Sequence, residues 1–165
     1  MAAKAKKTCF VIMPFGEKQD VNGEIIDFDK VYKYIIKKVL QDKLKLKVTR
    51  SDEIQQAGSI IRDMISHISN DDVAVVDITS LNPNVFYELG VRHSLRPSVT
   101  VLIRKKGTST PFNIQGLRII EYDLDVELAD RAREQIEAFI RNGLNSPGVD
   151  SRVYDVFPNM KVTYD

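Results

Sequence analysis

A three-layer α/β sandwich around a five-stranded parallel sheet is the fold this chain predicts. Short apolar runs recur along it, and segments of helical period alternate with them. The runs are apolar at nearly every position, as in strands covered on both faces. Strictly alternating strands and helices imply parallel strands joined by right-handed crossovers, which leaves a flavodoxin-like strand order, 2-1-3-4-5.

The elements follow in order. Thr8-Cys-Phe-Val-Ile-Met13 reads as the first buried strand and ends at Pro14-Phe15-Gly16. A polar loop runs from Gly16 to Ile26, with Asp20, Asn22, Gly23 and Glu24. Residues 27–44 read as a helix, with Phe28, Val31, Ile35 and Val39 inward and Lys30, Lys33, Lys37 and Lys38 outward. Leu46-Lys-Val-Thr49 is a short second strand. Gly58-Ser59 caps a helix over 60–68. Val73–Ile78 is the third strand, preceded by Asp71 and Asp72 as solvated caps. Asn82 caps the next helix and Pro83 occupies its first turn; Pro97 stops that helix near Leu95. Val99–Ile103 and Leu117–Tyr122 complete the sheet, and an amphipathic helix covers 126–142. The expected organisation is a basic tail over 1–7, one domain over 8–143 and a tail over 144–165. That last segment packs on the surface, covers a neighbouring subunit or begins a linker.

Composition narrows the function. The chain has 165 residues, 43% hydrophobic and 28% charged, which suits one globular domain with a real core. Net charge is +1, from 24 basic and 23 acidic residues, so no global field draws in nucleic acid. A single cysteine, Cys9, excludes an internal disulfide and fits a reducing compartment. Only two histidines are present, His67 and His93, and no metal-ligand cluster is visible. The apolar run after the basic N-terminal residues stops at Pro14, too short for a signal peptide or a membrane span. The expectation is a cytoplasmic protein without membrane, metal or redox cofactor.

The site should lie at the carboxyl ends of the first and third strands, where the 2-1-3-4-5 order reverses direction across the sheet. Met13-Pro14-Phe15-Gly16 and Asp77-Ile-Thr-Ser80 stand there, and the helix carrying Glu88 starts just beyond. Glu88 is either a nucleophile or base facing the crevice, or half of an exposed i, i+4 pair with Arg92. On a helical wheel it shares a side with Val85, Leu89 and Arg92, which weakens the second reading. Asp77 either holds a substrate hydroxyl or caps its own turn. Asn82 and Asn84 offer amides to a ligand, and Gly16 lets backbone N–H groups approach one. Ser59 and Arg62, at a helix start, can hold a phosphate; alternatively Arg62 pairs with Asp63 or Glu53. Lys105 and Lys106 read as a solvated turn.

With Pro14-Phe15-Gly16, the strand-ending Asp77 and Asn84-Val-Phe-Tyr-Glu-Leu-Gly90 in view, the chain resembles the nucleoside 2-deoxyribosyltransferase superfamily, over residues 8–124. More closely it looks like the bacterial domains of that superfamily, which are related in fold to Toll/interleukin-1 receptor domains. The resemblance implies that Glu88 attacks the C1′ carbon of a nucleoside or nucleotide and displaces the base. Asp77 would assist base protonation or sugar binding, and Tyr87 and Phe15 would flank base or sugar. It further implies a homodimer or larger homo-oligomer. The chain departs from the transferases in its bulky Val85-Phe86-Tyr87 and in having Asn82 or Asn84 where they carry an aspartate. Hydrolysis, with NAD as a further substrate of the same bond type, is then open beside transfer. A non-catalytic nucleotide-binding sensor and a Toll/interleukin-1 receptor-like interaction domain are the alternatives.

Overall fold

The computed structural model describes residues 5–20, 22–54, 60–146 and 148–163. Seven strands are described: β1 (Thr8–Ile12), β2 (Glu17–Gln19), β3 (Ile25–Asp27), β4 (Lys47–Arg50), β5 (Val73–Asp77), β6 (Thr100–Lys105) and β7 (Ile119–Tyr122). Five of them form one parallel sheet in the order β4-β1-β5-β6-β7, which is the 2-1-3-4-5 order of its strands along the chain. Cys9 pairs with Val48 on one side and Val73 on the other, and Val76 pairs with Leu102.

Helix α1 spans 28–43 and begins as an ordinary turn, Phe28–Val31, capped by the Asp27 side chain. It continues in wider π-helical turns, Tyr32–Ile36 and Lys38–Lys43. The reason is legible in the pattern: the buried pairs Val31/Tyr32, Ile35/Ile36 and Val39/Leu40 repeat every four residues. An α-helix of ~3.6 residues per turn would rotate such a stripe away from the core, and wider turns take up the drift. The remaining helices are α2 (Ile60–Asn70), α3 (Pro83–Leu95), α4 (Val126–Asn145) and α5 (Arg152–Val156).

Alternation along the central strands divides the core. Cys9, Val11, Val73, Val75, Val101 and Ile103 join Tyr122 against α1 and α4. Phe10, Ile12, Val76, Ile78 and Leu102 face the other way, against Ile68 of α2 and Val85 and Leu89 of α3.

Two expectations change, and the described C-terminal segment takes one of the placements left open. The polar segment after Gly16 is a two-stranded antiparallel hairpin, β2–β3. Glu17-Lys18-Gln19 is exposed and lacks a strand pattern. The hairpin exists because Asp20 accepts from the Asn22 and Glu24 N–H groups and closes the turn. Gly16, at φ +67°, supplies the left-handed residue that lets the chain reverse there. Asp71 is buried rather than solvated, its carboxylate 3.2 Å from His67 Nδ1. Its neighbour Asp72 accepts from the Thr8 N–H and pairs with Lys7. The C-terminal segment packs on the domain: α5 lies against α3, with Ser151 and Tyr154 buried. Among the described residues no helix is long and apolar enough to cross a membrane.

Candidate functional site

Parallel strands send every connection of one kind to one edge. At the C-terminal edge, Ile12 pairs with Val76, so Pro14-Phe15-Gly16 leaves the sheet beside the Asp77 turn. Pro14 is buried, Phe15 is exposed, and Lys18 lies over its ring at 5.6 Å. Asn82 caps α3, accepting from the Asn84 N–H at 2.9 Å. Asn84 and Tyr87 are exposed, Tyr87 at 62%. At the start of α2, Ile60, Ile61 and Arg62 are exposed at the same edge; Ser59 lies outside the described residues. The described residues of the candidate set thus lie along one edge, with Glu88 in the second turn of α3.

Glu88 is 9% exposed, at the margin of the buried side of α3. Burial pushes its carboxyl up to about 7, with no neighbouring charge contributing. The i, i+4 partner that would have made it ordinary is engaged elsewhere. Arg92, wholly buried, donates to the carbonyls of Ile68 and Asp71 at 2.8 Å and of Val99 at 3.1 Å, and to the Thr100 hydroxyl. It thereby ties the end of α2 and the start of β6 to α3. Among the described residues Glu88 has neither a hydrogen-bond nor an ion-pair partner. A carboxyl that burial moves this far from its ordinary value is a candidate for chemistry.

Asp77 is different in every respect. It is fully enclosed and accepts from the Thr79 N–H at 3.0 Å, from the Thr79 hydroxyl and from the Tyr122 hydroxyl at 2.7 Å. The Thr79 hydroxyl oxygen in turn accepts from the Lys105 N–H at 2.9 Å. The Asp77 side chain therefore caps its own turn and locks the ends of β5, β6 and β7 together. Burial raises its carboxyl to about 6 against the lowering effect of these bonds. Its strand parity sends it to the α1/α4 face with Tyr122, whereas Glu88 belongs to the α2/α3 face. The two candidate carboxylates share an edge of the sheet but not a side of it. Sequence reasoning missed Tyr122 and Thr79. The signal available was a hydroxyl two residues past a strand-ending acid and a tyrosine ending the last apolar strand.

A cleft of about 340 Å³ opens at the same edge on the α1 side, lined by Glu17, Ile25, Lys30, Lys105, Tyr122 and Asp123. The hairpin is pinned over it by Lys105, whose ammonium lies 2.6 Å from Glu24. Lys105 is thus more than a solvated turn. Among the described residues no group of three or more His, Cys, Asp or Glu side chains is placed to hold a metal ion.

No protein-family model matches the chain, and no curated protein matches it. Among solved structures it is similar to the Francisella novicida lysine decarboxylase LdcF, 14% identical with a TM-score of 0.51. The match covers 96% of this chain and 21% of the decarboxylase, so the chain spans about a fifth of that protein's length. The likeness is one of fold: an α/β domain with a parallel sheet flanked by helices.

Proposed function

We propose that this protein cleaves the bond between base and sugar in a nucleoside or nucleotide, NAD included, with Glu88 as the nucleophile. The observation that carries the reading is the largely buried Glu88 carboxyl, without a partner among the described residues, beside the switch point of the sheet. The resemblance of Asn84–Gly90 to the nucleoside 2-deoxyribosyltransferase superfamily supports it. The ionised carboxylate attacks C1′; the C1′–N bond breaks and its electron pair leaves with the base. A neutral base takes up a proton from water, whereas nicotinamide leaving NAD needs none. Water then attacks C1′ of the glycosyl ester, loses a proton to solvent, and frees Glu88. Exposed Phe15 and Tyr87 offer ring faces to a base, and Asn84 an amide to a hydroxyl.

Asp77 enters as a positioning residue, because its carboxylate is enclosed and presents no surface to a ligand. Its enclosure favours one second reading, a nucleotide-binding module without turnover, since Asp77 is not available as an acid to protonate a leaving base. Incubation with a panel of nucleosides, nucleotides and NAD, followed by chromatography for free base, separates the two. Base release lost in Glu88→Gln supports catalysis. Thermal stabilisation by a nucleotide without base release supports the module. Equal release by wild type and Glu88→Gln sinks the nucleophile.

A further inference from the structure

Strand β7 pairs with β6 on one side and, among the described residues, with no strand on the other. The Lys106 N–H donates to the Tyr122 carbonyl at 2.8 Å. In a parallel pair every second residue turns both backbone groups to its neighbour, so Ile120 and Tyr122 face β6. Ile119 and Glu121 turn theirs outward, and among the described residues these groups have no backbone partner. Two hollows, of about 390 and 340 Å³, follow one another along this open edge between β7 and α4; Ile119 and Gln135 line both, which makes them one trough. Its charged lining is Arg118 in the first hollow and Arg104, Lys106, Arg131 and Glu121 in the second. Arg104 holds Glu121 at 2.6 Å. Arg118, Lys106 and Arg131 have no ion-pair partner among the described residues. Glu127 and Glu134 are exposed near Arg131 on α4 but line neither hollow. Asp150 and Asp155 lie past the Arg118 end, in a neighbouring hollow with Arg152. The trough thus sets three uncommitted cations around outward-facing backbone groups.

We infer that β7 takes an acidic, extended peptide segment of another protein as an added strand. An open strand edge is a template for an extended chain, whose main-chain hydrogen bonds supply affinity and whose alternate side chains supply specificity. Pairing bonds the outward N–H and C=O groups of Ile119 and Glu121. From Arg118 to Tyr122 the strand runs about 13 Å, at ~3.3 Å per residue, which matches about four partner residues. Carboxylates on the α4 side of such a segment reach Arg131, with Arg118 and Lys106 at the two ends of the trough. Charge complementarity selects an acidic segment. A second copy placed edge to edge would bring the same three cations into one contact. Neither Glu88 nor the proposed chemistry enters this surface.

Fluorescence anisotropy on the full chain tests it, with a fluorescein-labelled peptide of alternating valine and glutamate, about eight residues long. The expected result is saturable binding at about 0.05 M salt that weakens at about 0.5 M. The same peptide with lysine in place of glutamate should not bind. Arg118→Glu combined with Arg131→Glu should weaken binding at least about tenfold. Both side chains are exposed, so circular dichroism of the variant should match the wild type. Backbone pairing has its own readout. In an added strand alternate peptide N–H groups face β7, so N-methylation of one alternate set abolishes binding and of the other set leaves it. Equal binding of the two methylated peptides overturns the inference, as does binding unchanged by the charge reversals. So does a wild type that does not bind the acidic peptide. A wild-type dimer in sedimentation velocity that the charge-reversed variant loses would give the edge to a second copy and equally overturn it.

Discussion

The Tyr122 hydroxyl donates to the Asp77 carboxylate at 2.7 Å, across the width of two strands, in a site closed to solvent. It joins the last strand of the sheet to the central one at the edge where the candidate site lies. Tyr122→Phe removes the donor and leaves a buried acceptor short of a bond. Stability should fall by about 1–3 kcal/mol, read from urea denaturation. An unchanged midpoint would show that water replaces the hydroxyl.

Arg92 should be irreplaceable by lysine. Its planar fork reaches four backbone carbonyls and a hydroxyl at once. A lysine ammonium cannot span them, although burial leaves the Arg92 guanidinium charged at neutral pH, pulled down only to about 10. Both Arg92→Lys and Arg92→Met should lose at least about 3 kcal/mol, because several buried carbonyls are left without donors. Full retention of stability in Arg92→Lys would refute the account.

Glu88 makes a prediction with a defined sign. Its carboxyl titrates at about 7 in the native state and near 4.5 when unfolded. Between these values the native state holds the proton that the unfolded chain has lost, so this group's contribution to stability falls as pH rises. Asp77 and Asp150, both raised to about 6 by burial, act in the same direction below that pH. His93, pulled down to about 4 by burial, acts oppositely up to its ordinary value of 6.5. The difference between Glu88→Gln and wild type isolates the glutamate. The variant should gain relative stability from pH 5 to pH 8, measured by denaturation at each pH. A constant difference would mean that Glu88 is solvated.

If Glu88 is the nucleophile, base release should rise with pH through about 7, as the carboxyl ionises. Glu88→Gln should fall by on the order of 10³-fold or more. A glycosyl adduct on the peptide containing Glu88, seen by mass spectrometry after rapid quenching, would be direct support. A flat pH profile with full activity in the variant would count against it.

The C-terminal segment should be part of the cooperative unit. The Ser151 hydroxyl donates to the His93 carbonyl at 2.6 Å and accepts from the Val153 N–H at the start of α5. Asp150 accepts from the Thr100 N–H at 2.9 Å. Ser151→Ala should cost about 1–2 kcal/mol, as loss of a helix cap does. Protease cleavage within 148–157 should then quicken in step with global unfolding; cleavage that is fast in the wild type would show the segment to be loosely held.

Much of the fold was legible because burial on both faces leaves a signature within each strand. Val73-Ala-Val-Val76 and Phe10-Val-Ile12 are apolar throughout, and Asn82-Pro83 marks a helix start by its own chemistry. Pairing of β2 with β3 left no such mark, since both are short and largely exposed and depend on one turn. The wide turns of α1 appear only once the four-residue repeat must face a sheet.

Within the site, local chain chemistry determined that Glu88 stands near a helix start past an acid-ended strand, and that both reach one edge of a parallel sheet. Only the tertiary structure decided their surroundings. Arg92 turned to backbone carbonyls and left Glu88 without its helical partner, while Tyr122, far along the chain, enclosed Asp77 on the opposite face. A one-residue step along a strand reverses the face, but which partner waits there depends on strands brought together from distant sequence. That is why the carboxylates could be located from the chain alone, and why their environments could not.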